Sequence, residues 1–130
     1  MASADGAAVL YIEDDMANLK LIERIFKRRP AISLRTTTHG ERGLDLAREI
    51  PPDLILLDLN LPDLNGDEIL LRLRQDPATS SIPVVVLSAD ATERQMERLM
   101  EAGATAYITK PIDVSKFISA IDEILAKADR

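Results

Sequence analysis

The sequence predicts an α/β domain, a five-stranded parallel sheet with helices on both faces, and three observations predict it. Short apolar runs of strand length alternate strictly with amphipathic stretches of helix length, five of each over 130 residues, the pattern of strand–helix–strand crossovers. The runs Ala7–Ile12, Leu54–Leu57 and Pro83–Leu87 are continuous in apolar residues, as in strands buried on both faces. Each run stops abruptly at a polar or charged residue, so chemistry collects at strand ends.

The first strand, Ala7–Ile12, is stopped by Glu13, Asp14 and Asp15. A helix is predicted over about 16–29, with Leu19, Ile22 and Phe26, joined by Leu21 and Ile25, on one face and Pro30 as its stop. Asp15 suits its N-cap, and Lys27, Arg28 and Arg29 read as a solvated helix end favourable to the dipole. Ile32–Thr37 is β-branched and moderately polar, a strand nearer the sheet edge. Gly40 opens a helix over about 41–49, with Leu44 and Ala47 inward, and Pro51-Pro52 ends it. Asp53–Asp58 is the third strand, four apolar residues delivering a carboxylate to the sheet edge. Pro62 and Asn65-Gly66 reverse the chain, and a helix over about 66–75 follows with Ile69, Leu70 and Leu73 inward. Pro83–Leu87 ends at Ser88. Thr92–Glu101 is a helix with Met96, Leu99 and Met100 inward and Gly103 as its C-terminal cap. Ala104–Thr109 is the fifth strand, ending at Lys110-Pro111. Asp113 N-caps a last helix to about Ala128, lined by Val114, Phe117, Ile118, Ile121 and Leu125.

Composition narrows the function. An apolar fraction of 46% and a charged fraction of 29% suit one soluble domain with a real core. The net charge of −6 argues against a general binder of phosphate backbones. An aromatic content of 3% leaves few platforms for stacking bases or a flavin. Without cysteine there is no disulfide, thiolate metal site or cysteine nucleophile. The single histidine, His39, reads as a surface loop residue and cannot build a histidine-rich metal site. The first residues lack the regions of a signal peptide, and no apolar run is long enough to span a bilayer. A cytoplasmic location is expected.

Glu13, Asp14, Asp58, Ser88 and Lys110 all stand at carboxyl ends of strands. In a parallel sheet these ends emerge at one edge, where open α/β sheets place ligands. Three clustered carboxylates repel one another unless something positive enters. An all-oxygen donor set suits Mg²⁺, which keeps several waters and accepts phosphate oxygens. Ser88 could donate to a phosphoryl oxygen and Lys110 neutralise another, leaving Asp58 placed to attack phosphorus in line.

With these residues the chain resembles, over nearly its whole length, the receiver domain of two-component response regulators, the CheY-like family. The motifs that carry the resemblance are Val9 to Asp15 (VLYIEDD), Leu57 to Pro62 (LDLNLP) with Gly66, Val86 to Ala89 (VLSA) and Tyr107 to Pro111 (YITKP). One motif alone is moderately specific; four in order at the right strand ends are very specific. The resemblance implies a doubly wound, flavodoxin-like fold with strand order 2-1-3-4-5. It implies that Asp58 accepts a phosphoryl group from a histidine kinase or histidine phosphotransfer protein. Asp14 would ligate Mg²⁺ directly, Glu13 through water and Asn60 through its backbone carbonyl, with Asp58 completing the set. Ser88 would be the switch hydroxyl, Ala89 the small neighbour whose N–H meets the phosphoryl group, and Tyr107 the aromatic switch. Lys110 would bind the phosphoryl group, and the Lys110–Pro111 peptide would be cis. A downstream protein would dock on the fourth helix, fifth strand and fifth helix, about 92–128.

The resemblance also implies a switch and not an enzyme, limited to its own phosphorylation and slow autodephosphorylation. The receiver would span 7–128, with a disordered tail at 1–6 and a short one at 129–130. Two departures stand out: Ser88 replaces the commoner threonine, and Asp90 adds negative charge near the pocket. No nucleic-acid-binding segment follows the fifth helix, so the expected output is protein–protein. The chain could be a stand-alone regulator, a relay intermediate, or the receiver of a hybrid sensor histidine kinase. A haloacid dehalogenase-type phosphatase also uses an aspartyl nucleophile with Ser/Thr, Lys and acids around Mg²⁺. It needs a second acid two residues on, where this chain has Asn60, and its nucleophile lies on the first strand. A flavin-binding relative would need a phosphate-cradling loop after the first strand, where Glu13, Asp14 and Asp15 would repel phosphate.

Overall fold

The computed structural model describes residues 6–127, and in it each apolar run is a strand and each amphipathic stretch a helix. The order is β1 (Ala8–Ile12), α1 (Met16–Phe26), β2 (Ser33–Thr37), α2 (Gly40–Glu49), β3 (Leu54–Asp58), α3 (Gly66–Gln75), β4 (Val84–Ser88), α4 (Glu93–Glu101), β5 (Ala106–Thr109) and α5 (Val114–Lys127). The strands are parallel and lie in the order β2-β1-β3-β4-β5. The expected tails at 1–6 and 129–130 fall outside the described residues apart from Gly6, as does Ala128.

Alternation along the central strands splits the core into two layers. Val9, Tyr11, Leu54, Leu56, Val85 and Leu87 face one layer with α1 and α5, where the rings of Phe26 and Phe117 meet edge to face at 6.2 Å. Leu10, Ile12, Ile55, Leu57, Val84 and Val86 face the other with α2, α3 and Leu99 of α4. Every residue of β3 and β4 is buried, which explains why these strands read as unbroken apolar runs. Full burial of such side chains is worth roughly 1.5–3 kcal/mol each. β2, at the edge, is exposed or half-buried throughout, in keeping with its polar sequence.

Several expectations need correction. α1 ends at Phe26, not near Arg29: the N–H groups of Arg28 and Arg29 bond to the carbonyls of Ile25 and Phe26, tightening the chain ahead of Pro30. Arg29 is not simply solvated either, because its guanidinium pairs with Asp122 of α5 at 2.6 Å. β5 starts at Ala106 instead of Ala104, since the Ala104 N–H closes the end of α4 on the Leu99 carbonyl, beyond Gly103 at φ +113°. Met100 is 44% exposed, and Leu99 is the one buried residue of α4. This short, highly charged helix meets the sheet along a narrow line that Leu99 fills. Val114 is likewise exposed, and the buried stripe of α5 is Phe117, Ile121 and Leu125.

Loop chemistry sets how the strands hand over to the helices. Asp15 N-caps α1 by accepting from the N–H groups of Ala17 and Asn18. Asn65 caps α3 through the Glu68 N–H. α2 is capped from a distance: His39 makes no side-chain cap bond, and Asp63 accepts instead from the N–H groups of Gly40 (2.7 Å) and Glu41 (2.9 Å). These bonds, that of Glu41 foremost, hold the Asp63 carboxyl below the usual carboxylate range. The loop after β3 is thereby tied to α2.

Candidate functional site

The register of the sheet determines what meets at its carboxyl edge. Ile12 of β1 pairs with Leu57 of β3, so Glu13 stands level with Asp58. Asp58 pairs with Leu87 of β4, and Ser88 pairs with Thr109 of β5, so Ser88 and then Lys110 project one step further out. The Lys110 N–H donates to the Ser88 carbonyl at 2.8 Å, continuing the ladder to the edge.

Three charged side chains are joined directly. The Lys110 ammonium donates to Asp58 Oδ1 at 3.1 Å and to Glu13 Oε1 at 3.2 Å. Glu13 is fully buried and Asp58 is 4% exposed, whereas Asp14 is exposed beside them. One carboxylate oxygen from each of Glu13, Asp14 and Asp58 lies within 4.8 Å of the others, close enough to share one cation. Burial pushes the Asp58 carboxyl up, Glu13 adds to the shift and Lys110 offsets part of it, leaving it at about 6. Burial pulls the Lys110 ammonium down, but the bonds and charges of Asp58 and Glu13 outweigh it and hold the group above its ordinary value. One ammonium thus serves a cluster of three carboxylates, bonded to two of them, and the site remains short of positive charge. A hard dication with oxygen preference fits that donor set.

The remaining candidates form the rim. Ser88 is buried, and its Oγ accepts the Asp90 N–H at 3.1 Å. Ala89 and Asn60 are exposed, the latter bridged to Asn65 in the turn after β3. Gly66 donates its N–H to the Leu59 carbonyl, and a Cβ there would lie 2.7 Å from Leu59 Cα, so only glycine permits this tight turn. The carboxylate of Asp90 accepts the N–H and hydroxyl of Thr92, which hold its pKa below the usual carboxylate range. Tyr107 does not join the acidic cluster. Its hydroxyl donates to the Asp90 carbonyl at 2.6 Å, so it reaches the site only through the backbone residue that also contacts Ser88. The Lys110–Pro111 peptide is cis.

Sequence reasoning passed over Tyr11. Its ring is fully buried, and its hydroxyl donates to Glu13 Oε1 at 2.8 Å. Burial, reinforced by the negative charges of Glu13, Asp58 and Asp15, pushes the pKa of its hydroxyl well above the usual phenol value, so it stays a proton donor. The signal was present: a tyrosine in an aliphatic strand needs a polar partner, and two residues on lies the same face.

Comparison with known proteins settles the family. The family model described as response regulator receiver domain matches residues 9–122. The chain belongs to the response regulator receiver family. The polar-differentiation response regulator DivK of Brucella ovis is 39% identical over 121 residues, covering 93% of this receiver and 98% of that protein. The receiver domain of the Francisella response regulator 1452 superposes with a TM-score of 0.84 at 27% identity, covering 93% of this receiver and 97% of that chain. The receiver domain of the Pseudomonas aeruginosa PAO1 sensor histidine kinase PA1611, solved with a magnesium ion in its active-site cleft, shares the fold. Its TM-score is 0.84 at 24% identity, with 94% of this receiver and 99% of that chain covered. The receiver family works in two-component phosphorelay signalling, as a switch module. No described helix of this receiver is long and apolar enough to cross a membrane.

Proposed function

We propose that this receiver takes a phosphoryl group onto Asp58 from the phosphohistidine of a kinase or phosphotransfer protein, with Mg²⁺ bound. The observation that carries the reading is the buried Asp58 carboxylate, crowded by Glu13 and held at the sheet edge by Lys110. Glu13, Asp14, Asp58 and the Asn60 carbonyl would hold the ion, which neutralises charge on the acidic cluster and the phosphoryl oxygens. The magnesium in the PA1611 receiver domain supports the choice of metal.

Asp58 forms the new bond to phosphorus as the bond from phosphorus to the donor imidazole nitrogen breaks, and the imidazole departs with that electron pair. Lys110 already points its ammonium at Asp58 and offers a positive charge to the arriving oxygens. Ser88 exchanges its bond from the Asp90 N–H for one donated to the phosphoryl group, and the Ala89 N–H supplies a second donor. Because the Asp90 carbonyl accepts from Tyr107, this exchange is transmitted to β5 and the surface of about 92–128, where a downstream protein docks. The receiver unit spans 7–128 and operates in the cytoplasm, between protein partners and without direct contact to nucleic acid. Its only chemistry is phosphorylation and slow loss of the phosphoryl group.

Incubation with acetyl phosphate and Mg²⁺ tests the reading. One phosphoryl group per chain is expected, with none on Asp58→Asn and little without Mg²⁺. Equal labelling of that variant overturns the assignment, and sustained hydrolysis of many phosphate esters would point to a phosphatase.

A further inference from the structure

Tyr11 is among the largest fully buried side chains, and phenylalanine would fill the same space against α1 and α5. The hydroxyl therefore adds nothing to packing and must be satisfied inside the protein. It is turned to the carboxyl edge and donates to Glu13 Oε1, the oxygen that also receives the Lys110 ammonium. Glu13 Oε2 receives only a long 3.4 Å approach from the Asp15 N–H. Two donors thus fix one oxygen of a fully buried, flexible glutamate and leave the other available to the cation site. A glutamate arm has one more rotatable bond than aspartate. Without a tether that arm is free to swing, and each orientation lost on ion binding weakens the affinity.

We infer that Tyr11 is a positioning residue for the metal site, its hydroxyl holding Glu13 in the orientation that serves the ion. The inference rests on the proposed Mg²⁺-dependent function. It concerns Tyr11 and Glu13 as a pair, so it belongs to a double-mutant cycle.

The experiment is Mg²⁺ binding by titration calorimetry to the full unphosphorylated chain, its Tyr11→Phe and Glu13→Gln variants and the double variant. Far-UV circular dichroism establishes that each is folded. Tyr11→Phe should weaken the Mg²⁺ Kd by roughly tenfold, the order seen when an outer partner of a metal ligand is removed. In the Glu13→Gln background the same change should matter less than about twofold. A folded Tyr11→Phe protein with unchanged Kd, or an equal loss in both backgrounds, overturns the inference and leaves the phosphoacceptor reading intact. A purely structural hydroxyl would lower the unfolding midpoint without moving the Kd. No Mg²⁺ binding by the unaltered chain would overturn both readings. Should Tyr11→Phe not fold, the unaltered protein still decides. The Tyr11 ring carbon bearing the hydroxyl should shift in NMR on adding Mg²⁺, and a stationary resonance counts against the tether.

Discussion

At Asp58 two demands conflict. The carboxylate must be buried to be held rigidly, yet burial beside Glu13 penalises its charge and lifts its pKa from 3.8 to about 6. A carboxyl raised on folding binds its proton more tightly in the native state, so native stability falls as pH rises through about 4 to 6. The ion-free protein therefore carries a destabilising charge at neutral pH. Asp58→Asn should be more stable than the unaltered chain by about 1–2 kcal/mol at pH near 7.5, a figure reduced for screening at the open sheet edge. The gain should narrow as pH falls through about 6 toward 4 and vanish only below about 3, where Asp58 is protonated in both the folded and unfolded states. Urea unfolding without divalent cations, across that pH range, checks it; a less stable Asp58→Asn at neutral pH contradicts it. Residue types and order made Glu13, Asp14, Asp58, Ser88 and Lys110 legible in the sequence as candidates. The Tyr11 hydroxyl was not, because a lone aromatic in an apolar strand reads as core until its partner oxygen is seen.

Among the elements, β3 and α3 are coupled by one glycine. At Gly66 an added Cβ would press on the backbone of Leu59, which follows Asp58 directly. Backbone cannot turn aside as a side chain can, so Gly66→Ala should cost about 1–3 kcal/mol. It should also slow phosphoryl uptake by moving the turn. Gly43→Ala, whose Cβ meets only side-chain atoms of Ile12, should cost less. Unfolding midpoints and uptake rates of the two variants test this, and equal losses would count against it. Helices and strands were legible to within a few residues, because periodicity and Gly/Pro punctuation are local. What was not legible depends on partners distant in sequence. Asp63 caps α2 across 23 residues, and the Arg74 guanidinium bonds the carbonyls of Gly103, Ser80 and Ile82. Met100 misled for the same reason: helical spacing says which face it shares, and only the packed sheet says how wide the covered face is.

For the whole molecule, the site exists only because the fold assembles it. Glu13 and Lys110 are 97 residues apart, and no spacing along the chain announces their contact. The parallel sheet brings them level, and strand order sets β1 and β3 side by side with β4 and β5 beyond. Alternation of strands and helices was enough to infer the parallel sheet and the shared edge. The order of the strands came from resemblance, since alternation alone is compatible with several. On the proposed function, this edge makes Asp58, and no other acid, the phosphoryl acceptor. The most direct test is to phosphorylate the chain with acetyl phosphate and Mg²⁺, trap the acyl phosphate with borohydride and map the peptides by mass spectrometry. Reduction should appear as homoserine at position 58 alone; homoserine at Asp14 or another aspartate, or 5-hydroxynorvaline at Glu13 or another glutamate, in place of it, or no reduced residue in a chain that has taken up phosphate, would contradict it.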